Sequence, residues 1–169
     1  MAIALFLGCI EGSGIQGDET SSQAGKPSWM DETLTDAVTG ETYKISDFRG
    51  KTILIETFAV WCPTCRRQQD EVRDLHDLLG DELASISLDT DPNEDIGQVR
   101  GHVERNRYDW RFSISPESLT KRLIDEFGVT VVNAPSTPVI IICPDGSRHL
   151  LGRGLKTSDK LAEEIGKRC

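Results

Sequence analysis

A run of apolar and β-branched residues at positions 52–58 leads directly into two cysteines, Cys62 and Cys65. Such a run is typical of a central parallel strand that is covered on both faces. Beyond the cysteines, apolar residues recur at helical spacing, at Val72, Leu75 and Leu79. This spacing predicts a helix that begins near Cys62 or Pro63 and ends around Gly80. The chain must therefore fold around a strand that passes into a helix at a pair of cysteines.

The rest of the chain alternates between short β-rich segments and helical segments. Further strands are predicted at 33–36, 41–45, 83–88, 110–114, 139–143 and 148–151, and further helices around 96–103, 119–127 and 161–165. The turn signal Thr39-Gly40 separates the first two strands, and Pro144-Asp145-Gly146 turns the last two into an antiparallel hairpin. This order predicts an α/β fold with a mixed central sheet and helices on both faces.

Length and charge limit the classes of function. At 169 residues the chain fits one domain, which we expect to be a monomer. The formal net charge of -9 argues against nucleic acid or an anionic membrane surface as a partner, because both attract basic proteins. No continuous apolar run reaches the length of a membrane-spanning helix.

The first 27 residues differ in character from the rest. Residues 1–9 form a short apolar stretch that ends at Cys9, residues 10–27 have the composition of a flexible tether, and residues 28–169 are the expected domain. The start is similar to the end of a secretory lipoprotein signal, in which the cysteine is lipidated. This implies an extracytoplasmic protein, anchored by an N-terminal lipid to the outer face of the cytoplasmic membrane. Because Phe6 replaces the usual Leu and no basic residue precedes it, a cytoplasmic protein with an incidental cysteine is the alternative.

The spacing of the two cysteines has a direct chemical use. In the first turn of a helix, two intervening residues bring the sulfurs close enough to form a small-ring disulfide. Cys62 would lie at the exposed end of the helix, where free N–H groups and the helix dipole lower the pKa of its thiol. We therefore expect Cys62 to attack as the thiolate and Cys65 to resolve the mixed disulfide. Pro63 suits the first helical turn, where a missing N–H leaves no bond unmade.

Two other interpretations of the pair are half of a zinc site and a purely structural disulfide. Zinc would need a second pair of ligands at matching spacing. The remaining candidates are scattered singly: Cys9, Cys143, Cys169, His76, His102 and His149. A disulfide that closes so short a loop removes little entropy from the unfolded chain. We therefore expect no metal, and we interpret Cys143 as a small buried apolar residue, the histidines as surface residues and Cys169 as having no role.

The chain resembles the thioredoxin superfamily at residues 53–65, which read ILIETFAVWCPTC like the active-site strand and loop of that superfamily. Residues 33–51, which end in DFRGK, are similar to the N-terminal hairpin and lead-in of its TlpA/ResA-like branch, also called redoxins. One helix and one strand inserted before Phe127-Gly128-Val129 also fit that branch. The resemblance covers residues 27–166. It implies a thioredoxin-like fold with an N-terminal hairpin and an inserted helix–strand unit.

The resemblance also implies roles for residues outside the cysteine motif. Thr137-Pro138 matches the family's cis-proline, which lies against the active disulfide and presents the preceding backbone to a bound peptide. Pro135 is a competing candidate. Glu56 lies six residues before the first cysteine, where the family often keeps a buried acid. Burial would raise its pKa and make it a proton shuttle toward the second cysteine, and the alternative is a partly hydrated structural acid.

The activity that the resemblance implies is thiol–disulfide exchange with protein dithiols or disulfides. The substrate would contact Trp61, Pro63, Thr64 and Thr137, and Trp61 would cover the disulfide. The sulfur pair itself carries the electrons, so no cofactor is implied, and a membrane or soluble thiol protein would be the electron donor. In the TlpA/ResA-like branch the reaction includes reduction of the haem-binding cysteines of apocytochromes c.

Two other functions remain open at this point. Peroxiredoxins are thiol peroxidases that share the fold, but residues 54–65 lack their Pro-x-x-x-Thr/Ser-x-x-Cys frame. Metal-binding modules of the Sco type use Cys-x-x-x-Cys with a distant histidine, one residue longer than the spacing here. Peroxide consumption would identify the first alternative, and a copper titration would identify the second.

Overall fold

The structure is a computed structural model that describes residue 1 and residues 28–169. The predicted lipidation site at Cys9 and the predicted tether at 10–27 lie outside the described residues. Within the described part of the chain, no helix is both long enough and apolar enough to cross a membrane.

The described residues form seven strands and four α-helices. The strands are β1 (Thr33–Thr35), β2 (Thr42–Lys44), β3 (Thr52–Phe58), β4 (Leu83–Asp89), β5 (Arg111–Ile114), β6 (Val139–Ile142) and β7 (Arg148–Leu150). The helices are α1 (Pro63–Leu79), α2 (Ile96–Asn106), α3 (Glu117–Phe127) and α4 (Ser158–Arg168). Each strand and helix expected from the sequence is present. Helix α1 begins at Pro63 and ends before Gly80, as the apolar spacing predicts.

Strands β3 to β7 form one mixed sheet in the order β5-β4-β3-β6-β7. Strands β3, β4 and β5 are parallel neighbours, whereas β6 is antiparallel to both β3 and β7. Strands β1 and β2 pair separately as an antiparallel hairpin. The mixed sheet, the hairpin and the inserted α2–β5 unit confirm the predicted α/β architecture.

Helices cover both faces of the sheet because side chains alternate along each strand. Ile53 and Ile55 of β3 pack with residues of α3 and the hairpin, whereas Leu54 packs with residues of α1 and α4. A third cluster at the carboxyl end of β3 contains Phe58, residues of α2 and the two motif cysteines. The core therefore fixes the point at which the chain leaves β3 and enters the cysteine motif.

A second disulfide joins Cys143, which directly follows β6, to Cys169, which directly follows α4. The two Cα atoms are 5.2 Å apart, within the usual range for a disulfide. The interpretation of Cys143 as an unpaired apolar residue and of Cys169 as a residue without a role is therefore wrong. The reason lies in tertiary packing. Helix α4 packs in the same apolar cluster as Cys143 and so brings the end of the chain to it.

We predict that this second disulfide stabilises the fold and takes no part in exchange. The bonded residues are 26 positions apart, and restricting the unfolded chain over such a loop corresponds to about 3 kcal/mol. Replacing the exposed Cys169 by Ser should lower the free energy of unfolding by about that amount, measured by urea denaturation without reductant. The double variant Cys143→Ala/Cys169→Ser controls for the free thiol. Unchanged urea midpoints, or loss of exchange activity, would contradict the prediction.

Candidate active site

The motif cysteines lie at the N-terminal end of α1, where β3 delivers the chain. Cys62 is the N-cap residue and Pro63 is the first residue of the helix. The turn before the helix is closed by a hydrogen bond from the Cys62 N–H to the Ala59 carbonyl at 3.1 Å. Cys62 and Cys65 form a disulfide with their Cα atoms 5.3 Å apart. The pair therefore occupies the first helical turn, as the sequence predicts.

The two sulfurs have different hydrogen-bond surroundings. Sγ of Cys62 accepts the backbone N–H of Cys65 at 3.1 Å, and the hydroxyl oxygen of Thr64 lies 3.2 Å from it. Sγ of Cys65 lies 3.1 Å from the carbonyl oxygen of Ala134, a group that can only accept. Donors stabilise a thiolate, whereas an acceptor stabilises a protonated thiol. After reduction, these contacts favour a thiolate at Cys62 and a thiol at Cys65.

Both cysteines are buried in this oxidised state, with exposures of 1% for Cys62 and 2% for Cys65. They pack in a cluster with Phe58 of β3, Val99 of α2 and Ala134. The expected exposed position of Cys62 is therefore wrong, because neighbouring apolar residues cover the helix N-terminus. Exchange requires access to a sulfur. Exchange at either sulfur would therefore require part of this cover to move.

Trp61, which precedes the first cysteine, is 59% exposed. Its indole N–H donates to Asp91 at 2.6 Å. The carboxylate of Glu94 accepts the backbone N–H groups of Val60 and Trp61 at 2.7 and 3.3 Å. Two carboxylates from the loop between β4 and α2 thus hold the segment that leads into the motif.

A groove of about 490 Å³ lies beside the motif. One wall consists of Trp61 and residues 90–93, and the other consists of residues 132–135. The hydroxyl of Thr64 lies 3.4 Å from the carbonyl oxygen of Pro135, at the second wall. Of the four residues expected to contact substrate, Trp61 and Pro63 are exposed and Thr64 is half-buried, whereas Thr137 is buried.

The peptide bond before Pro138 is trans, and none of the peptide bonds in the described residues is cis. The cis-proline prediction is therefore wrong for Pro138 and for its competitor Pro135. Thr137 adopts a left-handed conformation with φ of 47°, and this turns the chain into β6 with a trans bond. The carbonyl of Pro138 accepts the N–H of Thr57 in β3 at 3.4 Å. Pro138 thus adjoins the central strand that carries Glu56.

Glu56 is buried in the centre of the sheet, with an exposure of 2%. Ser87, its neighbour on β4, donates its hydroxyl to Oε1 at 2.6 Å and accepts the indole N–H of Trp110 at 2.9 Å. Burial raises the pKa of Glu56 to about 7, whereas the Ser87 hydrogen bond, the Gln69 side chain and the charge of Lys156 act to lower it. The alternative of a partly hydrated acid is wrong. A carboxyl group with this pKa can accept and release a proton near neutrality.

Gln68 and Lys156 belong to the site although no motif indicated them. Gln68 lies one turn beyond Cys65 and holds the backbone of Lys156. Its Oε1 accepts the Lys156 N–H at 2.9 Å, and its Nε2 donates to the Lys156 carbonyl at 3.0 Å. The ammonium of Lys156 donates to the Thr137 carbonyl at 2.5 Å. Burial lowers the pKa of Lys156 to about 8, against the raising effect of Glu56.

The histidines offer no metal site. Among the described residues, no group of three His, Cys, Asp or Glu side chains could hold a metal ion. His102, expected at the surface, is buried, and its Nε2 lies 2.6 Å from Oε1 of Gln69. That expectation is wrong because α2 packs over the end of the sheet and stacks His102 on Phe58. Burial lowers the pKa of His102 to about 4, so the ring is neutral at pH 7.

The sequence profile of the redoxin family matches residues 21–146. The chain belongs to the redoxin family. Thioredoxin-like protein YneN of Bacillus subtilis strain 168 is 28% identical to this redoxin over 108 residues. That match covers 61% of this chain and 58% of YneN, so the chain spans little more than half the length of that relative.

Solved structures share the fold of this redoxin at low sequence identity. A thiol:disulfide interchange protein of Chlorobium tepidum TLS gives a TM-score of 0.69 at 14% identity, over 80% of this chain and 91% of that one. A secreted Mycobacterium tuberculosis disulfide oxidoreductase homologous to E. coli DsbE gives a TM-score of 0.62 at 14% identity, over 82% of this chain and 97% of that one. The exposed lipoprotein thioredoxin of Streptococcus pneumoniae strain TIGR4 gives a TM-score of 0.62 at 17% identity, over 81% of this chain and 98% of that one. These likenesses confirm the predicted thioredoxin-like fold.

The buried carboxyl of Glu56 should make the stability of this redoxin depend on pH. Its pKa is raised from 4.5 to about 7 in the folded state, so between these values the folded chain keeps a proton that the unfolded chain has released. Stability is therefore lost as the pH rises through this window. Glu56→Gln, which stays neutral, should match wild type near pH 4 and exceed its free energy of unfolding above pH 7 by up to about 3 kcal/mol.

Urea unfolding of the oxidised proteins at several pH values from about 4 to 8 measures this difference. Glu82→Gln, at an exposed position before β4, is the matched control and should follow wild type throughout. A difference between Glu56→Gln and wild type that stays constant with pH would show that the carboxyl does not titrate in this window.

Proposed function

We propose that this redoxin is a thiol–disulfide oxidoreductase that exchanges electrons with protein dithiols and disulfides through Cys62 and Cys65. The observation that carries the proposal is the difference between the two sulfurs. The backbone N–H of Cys65 donates to the Cys62 sulfur, whereas the carbonyl oxygen of Ala134, an acceptor, faces the Cys65 sulfur. Exchange needs one thiolate that attacks and one thiol that is held back until a mixed disulfide has formed.

In the reductive direction, the thiolate of Cys62 attacks one sulfur of a substrate disulfide. A bond forms between Cys62 and the substrate, the substrate disulfide breaks, and the released substrate sulfur takes up a proton. Cys65 then loses its proton and attacks the Cys62 sulfur, which releases the second substrate cysteine. Two electrons have passed to the substrate, and the protein is left with the disulfide seen in the structure.

Glu56 is the group that we assign to the proton of Cys65. It lies on the sheet beneath the helix that carries the cysteines, with Gln69 of α1 beside it. Its pKa of about 7 suits a base that must be ionised before the resolving step and neutral after it. Burial away from water keeps the proton within the site.

The groove beside the motif fits an extended peptide that flanks a cysteine. The exposed indole of Trp61 and the prolines Pro92 and Pro135 give its walls apolar surface. The resemblance to TlpA/ResA-like proteins supports substrates such as the haem-binding cysteines of apocytochromes c. A membrane or soluble thiol protein would then return electrons to Cys62 and Cys65.

We propose an extracytoplasmic location with a lipid on Cys9. The disulfide between Cys143 and Cys169 supports this location, because structural disulfides persist in oxidising compartments. Two of the solved structures of the same fold are described as a secreted protein and as an exposed lipoprotein.

Lipidation can be tested by expression in a bacterium that processes lipoproteins. Wild type should enter the detergent phase of a Triton X-114 partition, because acyl chains bury methylene groups at about 0.8 kcal/mol each. Cys9→Ser should remain in the aqueous phase with unchanged exchange activity. Aqueous partition of both proteins, with no acyl mass on the Cys9 peptide, would reject the anchor.

The cysteine roles give the decisive test of the activity. The reduced variants are mixed with an oxidised Cys-x-x-Cys-His peptide, and the products are separated on non-reducing gels. Cys65→Ser should attack once and stall as a covalent complex that dithiothreitol releases, because the resolving thiol is missing. Cys62→Ser should form no complex. Trapping by Cys62→Ser alone would reverse the roles, and turnover by both variants would reject the mechanism.

Cys169→Ser is the matched control for loss of a cysteine outside the motif and should turn over like wild type. Oxidised insulin serves as a second substrate. A complex with insulin but none with the peptide would retain the oxidoreductase activity and reject the apocytochrome class of substrate.

A further inference from the structure

Lys156 reaches the active site from the loop between β7 and α4. Its exposure is 7%, and its ammonium donates to the carbonyl oxygen of Thr137 at 2.5 Å. Removing a lysine charge from water carries a free-energy penalty, which a single neutral carbonyl offsets only in part. A lysine buried in this way needs a functional explanation.

The position of Lys156 is fixed by the helix that carries the cysteines. Gln68 binds both backbone groups of Lys156, and it lies one turn beyond Cys65 on α1. Ala134, three residues before Thr137, places its carbonyl oxygen against the Cys65 sulfur. Lys156 thus connects the helix that carries Cys65 to the segment that faces the Cys65 sulfur.

The charge of Lys156 also acts on Glu56. The other groups that act on this carboxyl, Ser87 and Gln69, are neutral, and Lys156 supplies the positive charge. The effect is mutual, because Glu56 favours the charged form of Lys156. The ammonium therefore favours the carboxylate form of a group that burial alone would keep protonated.

We propose that Lys156 is a positioning residue for the resolving half of exchange, an inference that rests on the oxidoreductase function proposed above. Its ammonium holds the Thr137 carbonyl and keeps Glu56 available as a carboxylate near neutral pH. Glu56 takes the proton of Cys65, and the Cys65 sulfur attacks the protein sulfur of the mixed disulfide. The bond to the substrate breaks, and the substrate sulfur leaves with the bonding electrons and takes a proton from water.

Other titratable groups near Glu56 must be separated from this effect. Burial raises the pKa of Tyr108, which stays protonated, and lowers the pKa of His102 to about 4, so that His102 stays neutral. Asp89 of β4 does titrate in the same range, because burial raises its pKa to about 7. Repeating the measurement in an Asp89→Asn background removes its contribution.

The experiment follows decay of the mixed disulfide between pH 5 and 9. Reduced protein is mixed with a disulfide-bonded peptide, thiols are alkylated at set times, and the species are separated by mass. Lys156→Met should move the acid limb of the resolution rate upward by about one pH unit, so that resolution at pH 6 slows about tenfold. The first attack by Cys62 should keep its rate. Lys156→Arg should restore most of the resolution rate because it keeps the charge.

Lys160→Met, at an exposed position in the first turn of α4, is the matched control and should follow wild type. Glu56→Gln should slow resolution by itself and should abolish the effect of Lys156→Met, because the lysine acts through the carboxylate. If Lys156→Met is poorly folded, Lys156→Gln replaces it, since the amide keeps an N–H donor without a charge.

If Lys156 is purely structural, Lys156→Met should lower the unfolding midpoint and leave the acid limb of the resolution rate where it is in wild type. An acid limb that does not move overturns the proposal. This failure differs from failure of the proposed function. If Cys65→Ser traps no substrate, the oxidoreductase activity is rejected. If Cys65→Ser traps normally and the acid limb of Lys156→Met coincides with wild type, only the role of Lys156 is rejected.

Discussion

The site depends on a central strand that is paired along both edges and covered on both faces. The register of β3 with β4 and β6 fixes where the chain leaves the sheet, and four residues, ending with Cys62, separate the end of β3 from the start of α1. Such a strand cannot slip without breaking two ladders of hydrogen bonds and moving its apolar side chains to the wrong faces. The strand pairing and the packing of the core therefore fix the positions of the two cysteines. They also fix the position of the buried Glu56 carboxyl, which lies on the same strand.

The segment between α3 and β6 joins the parts of the site to one another. Several of its carbonyl groups contact other elements. That of Ala134 lies against the Cys65 sulfur, that of Thr137 binds the Lys156 ammonium, and that of Pro138 binds β3. The same segment packs over the disulfide. A movement of this segment that admits a substrate would therefore change the acceptor at the Cys65 sulfur. Access to one sulfur and the protonation of the other are linked through a single stretch of chain.

Features that depend on residues close together in the sequence could be predicted. Alternation, helical spacing and the cysteine motif are local properties, and they predicted the strands, the helices and the helix-start disulfide. The buried acid was predicted from the resemblance to thioredoxin-like proteins. The features that escaped prediction depend on tertiary packing. Cys143 and Cys169 meet only because α4 returns to the sheet, and Lys156 is buried only because α1 holds its backbone. The trans bond before Pro138 accompanies a left-handed threonine, a conformation that a β-branched residue rarely adopts and that no propensity predicts.

The hydrogen bonds around the buried acid also give the protein an optical property. Trp110 donates its indole N–H to Ser87, and Ser87 donates its hydroxyl to Glu56. One hydroxyl group therefore separates an indole ring from a carboxyl that changes charge near neutrality. Indole emission responds to the electric field across the ring, so Trp110 is placed to report the charge of Glu56 without an added label. The chain has three tryptophans. With Trp29 and Trp61 replaced by Phe, and with Asp89 replaced by Asn to remove the other carboxyl that titrates in this range, the fluorescence of the remaining tryptophan would record the arrival and departure of a single proton.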